Sequence, residues 1–157
     1  MVSRSGARAA PIAGLALYDP VLNDPGYVVE SADDTQVLLG AFFEIVLAIA
    51  VIGTAVTLYP IVKRQNEGIA LGYVAGRVSE AVIIVVGIIS LLSIVTLGQD
   101  SAGAAGDQAA SLVTTGEALA AIHDWTFLFG PGFAIGVNTL MLAYLMYRSG
   151  LVPRPSR

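Results

Sequence analysis

Arg77 and Glu80 stand three residues apart inside an otherwise apolar run from Ile69 to Leu97. A charge near the centre of a membrane-crossing helix costs roughly 2.5–3.5 kcal/mol on insertion scales, so such residues face protein or a water-filled cavity and carry a partner. Their i, i+3 spacing puts both on one helical face, where each partly neutralises the other. Two more polar side chains, Glu44 and Asn138, interrupt other apolar runs. With antiparallel helices level at their ends, Asn138 reaches roughly the depth of Arg77, and Glu44 lies nearer the opposite surface. Arg77, Glu80, Glu44 and Asn138 form the intramembrane candidate site, suited to a proton, an ion or a small polar ligand. An internal ion pair that fixes helix register is the alternative reading of the same residues.

His123 is the only histidine, next to Asp124 and six residues after Glu117. These three make a second candidate cluster, at the outer membrane interface, where Trp125 reads as an interfacial anchor. A metal centre needs at least three convergent ligands, and a hydrolytic site needs a nucleophile, a base and an orienting group. The cluster supplies neither set, so no catalytic residue, metal or cofactor is assigned. The plain reading of His123 is a hydrated interfacial imidazole. Gly68, Gly72 and Gly76 recur every fourth residue, and Gly132 and Gly136 repeat the spacing; such stripes let helices approach closely. They do not form a phosphate loop, since no Gly-Lys-Ser or Gly-Lys-Thr follows.

The elements that must position these residues follow from hydropathy. The 157-residue chain is 55% hydrophobic, above the roughly 45–50% of globular domains. The excess is gathered into runs approaching the ~20 residues that cross ~30 Å of hydrocarbon. The fold class is therefore all-α, a transmembrane helical bundle with three spans near 37–62, 69–97 and 126–147 in a membrane domain over 37–157. Residues 1–36 read as an acidic extracytoplasmic tail. Within it, Ala9 to Tyr18 is a short apolar stump, interrupted by Pro11 and Gly14 and too short to span. Asp19 to Asp34, rich in Pro, Asp, Asn and Gly, reads as an irregular solvated loop. Ala109 to Trp125 has apolar residues at helical spacing among charges, which predicts an interfacial helix before span three. Gly130-Pro131-Gly132 then supplies a hinge.

Basic residues set the orientation. Lys63 and Arg64 lie between spans one and two, Arg148, Arg154 and Arg157 follow span three, and the loop from Gly98 to Trp125 carries only acidic charge. The positive-inside rule places the short loop and the C-terminus in the cytoplasm. A net charge of −4 without a basic cluster excludes nucleic acid as a partner. The absence of cysteine removes disulfide and thiolate chemistry. Abundant Ala, Gly and Val with few lysines fits a GC-rich bacterial genome and hence a bacterial cell membrane.

Several motifs together resemble a bacterial membrane family, the domain of unknown function 4386 family. They are Tyr59-Pro60-Ile61-Val62-Lys63-Arg64-Gln65-Asn66-Glu67-Gly68, Ala70-Leu71-Gly72-Tyr73 with Arg77 and Glu80, Pro20-Val21-Leu22-Asn23-Asp24-Pro25, His123-Asp124-Trp125-Thr126-Phe127, Gly130-Pro131-Gly132, and Tyr147 to Arg154. The resemblance implies a multi-helix membrane protein, typically of about six spans, and brings no substrate, cofactor or catalytic residue with it. It also implies that this chain is a shortened member, with a stump where the family has a full first span.

The expected function is that of a non-enzymatic helical bundle, a scaffold or a small-solute or ion-handling protein. A membrane enzyme acting on a lipid or apolar substrate at the outer interface, through Glu117, His123 and Asp124, is the alternative. The expected partners are the lipid bilayer and, from the glycine stripes, a second copy or another membrane subunit.

Overall fold

The computed structural model describes residues 17–24, 26–29, 34–100 and 104–149. The stump from Ala9, all but its last two residues, and the tail from Leu151 to Arg157 lie outside the described residues. The described chain is helical without strands: α1 (Asp19–Asn23), α2 (Thr35–Val62), α3 (Glu67–Asp100), α4 (Asp107–Phe127), a π-helical segment (Leu128–Ala134) and α5 (Ile135–Ser149). Among the described residues three helical rods are long and apolar enough to cross a membrane, 35–62, 67–100 and 107–149.

These segments are helical because a backbone in hydrocarbon must satisfy its N–H and C=O groups internally. Their outer faces stay apolar. Phe42, Phe43, Ile49, Val56, Phe133 and Leu140 are all exposed, the surface that lipid covers. The central rod is α3: 44% of its most apolar stretch is buried, against 28% for α2 and 17% for the third rod. Between α2 and α3 the turn is tight, and Asn66 caps α3 through Oδ1, which accepts from Ile69 N–H at 3.0 Å. At this end Val62, Ala70 and Leu145 are buried together, so the C-terminus of α5 lies beside the Lys63–Arg64 turn.

The third rod differs from the sequence expectation. Asp107 to Trp125 does not lie apart from span three but runs straight into it. Gly130-Pro131-Gly132 does not interrupt the helix; the turn widens to π geometry there. A π turn absorbs a proline because it loosens the ladder around the missing N–H and the ring. At 1.5 Å per residue the 43-residue rod extends about 64 Å, longer than the ~40–45 Å of a bilayer with its headgroups. Its first turns therefore carry Glu117 towards or beyond the headgroups, as the composition of that segment requires.

The opposite end also departs from expectation. The described residues between Asp19 and Val29 are not a solvated loop: with Tyr18 before them, Val21, Tyr27 and Val28 join Val37, Leu91, Ile94 and Val95 in a common core. Tyr27 and the valines among the Pro, Asp and Asn, with Tyr18 just before them, supply the burial that composition alone obscured. Asp24 Oδ1 accepts from Gly26 N–H at 2.9 Å and shapes the turn. Asp34 then ties the segment down, accepting from Tyr27 Oη at 2.8 Å and from Gln99 Nε2 at 2.8 Å. Gly116 has no Cβ because Val28 Cγ2 would lie 2.5 Å from it.

Gly40 of α2 makes the same kind of room for Tyr18, whose Cε1 would lie 2.6 Å from an added Cβ, whereas Gly53 has open space. Alanine raises helix propensity by roughly 0.8–1 kcal/mol at either position. Gly53→Ala should therefore leave thermal stability in micelles equal or higher. Gly40→Ala should lower it by about 1–3 kcal/mol from overpacking against the ring. Equal behaviour of the two variants would show that Tyr18 does not pack on α2.

Candidate functional site

Position 80 falls on the face of α3 that turns away from lipid, and Glu80 is 1% exposed. One of its oxygens, Oε2, accepts from Arg77 Nη1 at 2.9 Å and from Asn138 Nδ2 at 3.0 Å. The guanidinium reaches further. Arg77 Nη2 donates to Thr54 Oγ1 at 3.2 Å, and Thr54 donates in turn to the carbonyl of Val51 at 2.8 Å. A single carboxylate thus gathers α3 and α5 directly, and α2 through its arginine.

Gly76 explains how Asn138 comes so close. An added Cβ at Gly76 would collide with Asn138 Oδ1, and one at Gly72 would meet Met141 Sδ at 3.8 Å. The stripe Gly72–Gly76 is therefore spent within the chain, against α5. By contrast, Gly136 faces open space.

Glu44 does not join this group. Ten residues separate it from Thr54 along α2, about 15 Å at 1.5 Å per residue, and its partner is one that composition did not single out. Tyr18 Oη donates to Glu44 Oε2 at 3.0 Å, from a ring that is fully buried. Burial first, and the facing Glu44 carboxylate second, hold the Tyr18 hydroxyl well above its ordinary pKa, so it remains a donor. The sequence signal was slight: one tyrosine at the end of an apolar run, just before Asp19-Pro20.

His123 separates from the acidic residues beside it. The imidazole is 2% exposed, whereas Glu117 and Asp124 are exposed on other faces of α4. It is not the hydrated interfacial residue that its neighbours in sequence indicate. A helix turns about 100° per residue, so adjacent positions look in different directions. The ring of Tyr18 meets it edge-on, with centroids 5.4 Å apart, and Phe127 lies one turn on at 6.5 Å. Nδ1 lies 3.3 Å from the carbonyl oxygen of Gly87, which also accepts from Ser90 Oγ at 2.7 Å.

The buried polar residues therefore fall into two clusters at two depths. In one, the clamp, buried Glu80 and Asn138 hold half-buried Arg77, which reaches exposed Thr54; in the other, buried Tyr18 and His123 lie with half-buried Glu44, and Ser90 and Thr126 are beside them. The expected outer-interface trio of Glu117, His123 and Asp124 does not converge on one point. Among the described residues, no group of three or more His, Asp or Glu side chains could hold a metal ion.

Residues 7–155 match the model of a protein family described as a domain of unknown function, DUF4386, and the chain belongs to that family. No curated protein and no solved structure matches.

Removing one partner of a buried ion pair leaves an uncompensated charge and costs about 3–5 kcal/mol. Glu80→Gln should destabilise the bundle on that scale, whereas Arg77→Met with Glu80→Met should recover part of the loss. A double-mutant cycle by reversible unfolding in mixed micelles measures the coupling. Additive single effects would rule out the clamp.

Proposed function

We propose that this DUF4386 chain is a non-enzymatic, ion-handling helical bundle of a bacterial cell membrane. The observation that carries the reading is a pair of polar clusters at two depths of an otherwise apolar bundle, one built on buried Glu80 and Asn138 and the other on buried His123. Intramembrane ionisable residues are rare because they are costly, and those retained commonly mark ion or proton paths. The clamp supports the framework role: its carboxylate and both terminal guanidinium nitrogens are bonded, and it ties three helices together. In the other cluster, with Glu44 and Tyr18, an entire side of the His123 ring is left without a partner. A scaffold without ion handling is the second reading, favoured by the closure of the clamp. A surface enzyme gains no support from Glu117 and Asp124 facing away from His123.

The cytoplasmic side in this proposal is the end carrying the Lys63–Arg64 turn and Arg148, on the positive-inside rule. Packing of Leu145 beside Val62 and Ala70 supports the same side for both basic regions. Association with a second copy or another membrane subunit belongs to the proposal as well, since Gly136 leaves room for close helix approach.

Two measurements test these statements. The chain has no cysteine, so single cysteines report topology directly. Gln108→Cys should react with an impermeant thiol reagent in intact cells, and Arg64→Cys should react only after lysis; the reverse pattern inverts the orientation. Purified protein in liposomes should dissipate an imposed proton or alkali-cation gradient faster than protein-free vesicles do. Rates equal to those of protein-free vesicles would remove ion handling and leave the scaffold.

A further inference from the structure

Two buried side-chain polar atoms among the described residues lack a hydrogen-bond partner, Arg77 Nε and His123 Nε2. The first belongs to a guanidinium already bonded through both terminal nitrogens. The second is half of the hydrogen-bonding capacity of its ring, in a side chain almost wholly buried. The facing carbonyl of Gly87 can only accept, so Nδ1 carries the ring hydrogen, and Nε2 of the neutral ring is then a bare lone pair. A buried polar atom left in that state costs about 1–3 kcal/mol. A side chain chosen only for packing would avoid the cost, since a leucine or phenylalanine fills similar volume without it.

Packing is close at the Nδ1 edge of the ring and around the tyrosine beside it. A Cβ on Gly87 would lie 2.6 Å from Thr126 Oγ1 and 3.3 Å from His123 Nδ1, and Tyr18 Cε1 occupies the room left by Gly40. Nε2 itself is closed off from solvent, in a side chain only 2% exposed, which favours the smallest species that can occupy a lone pair, a proton. The charge to balance it is present. Tyr18 touches both groups, meeting the imidazole with its ring edge and donating its hydroxyl to Glu44.

We propose that His123 is a buried proton-binding site, with Glu44 as the counter-charge and Tyr18 packed between them. The proposal rests on the ion-handling reading and names the ion. In the binding step a proton from water adds to the Nε2 lone pair, and no bond between heavier atoms forms or breaks. The ring becomes an imidazolium, and the carboxylate makes the site neutral as a whole. The groups facing the ring are Tyr18 from the segment before α1, Glu44 from α2 through that tyrosine, and the Gly87 carbonyl and Ser90 hydroxyl from α3. On its own helix Asp124 follows it in sequence, with Phe127 one turn on.

Since His123 is the only histidine, full-length protein labelled with ¹⁵N-histidine and purified through a histidine-free tag reports this ring without assignment. In lipid bilayers at high pH, Nδ1 should appear protonated and Nε2 bare. On acidification Nε2 should convert to the protonated form while helical circular dichroism is unchanged. Glu44→Gln should lower proton affinity by about tenfold, one pH unit in midpoint, whereas Glu117→Gln, exposed on the same helix, should not move it. A ring that keeps one neutral tautomer at every pH where the helices persist would overturn the proposal. So would a midpoint indifferent to Glu44→Gln in a folded variant. If that variant does not fold, the wild-type pH series decides alone through the tautomer and its conversion. Liposome flux separates the two readings: a histidine that titrates in a protein without flux keeps the site and removes ion handling, and flux with a silent histidine does the reverse.

Discussion

In hydrocarbon a charged group must find its compensation inside the protein, and the arrangement of this bundle follows from how Glu80 does so. Water is not at hand to solvate the carboxylate, so Arg77 one turn earlier and Asn138 on another rod donate to the same oxygen. Each donor imposes a further condition. Asn138 can approach only because Gly76 has no side chain, and Arg77 has a nitrogen to spare, which turns to Thr54 on α2. Helix association in lipid has little hydrophobic drive, because lipid tails are as apolar as leucine. Hydrogen bonds and close packing have to set the geometry, and α3 becomes the hub because it carries both the charges and the glycines.

The other end of the bundle obeys the same rule with different means. There the segment from Tyr18 to Val29 folds down and buries its own apolar residues against α2, α3 and α4. Asp34 fastens it by accepting from Tyr27 and from Gln99. These contacts are polar and peripheral where the clamp is charged and central. Each such bond is worth only about 0.5–1.5 kcal/mol net where water competes, so the cap is held by many modest terms.

Much of this was legible in the sequence. The three spans, the ion pair of Arg77 and Glu80, and the depth of Asn138 follow from spacing, because an i, i+3 pair on a helix has little choice of geometry. What could not be read is what depends on rotation and on distant contacts. His123, Asp124 and Glu117 are close in sequence, yet the helix sends the imidazole inward and leaves both acids outside. Glu44 was a charge without a visible partner, because Tyr18 lies 26 residues away in a stretch whose composition reads as loop. Gly130-Pro131-Gly132 announced an irregularity, but composition does not distinguish a hinge from a widened turn.

That widened turn decides whether both buried clusters can exist on one rod. His123 and Asn138 both face α3, at Gly87 and at Gly76 with Glu80, and fifteen residues separate them. In helices that follow one another the facing residues recur about every 3.5 positions, so a separation of about fourteen keeps two residues on one seam, whereas fifteen rotates one of them away by about 100°. A π turn holds one residue more than an α turn and so removes one from the count. With that residue absorbed between Leu128 and Ala134, both side chains return to the seam. The proline that composition marks as a break is, in physical terms, the device that brings a histidine and an asparagine onto the same face of α3.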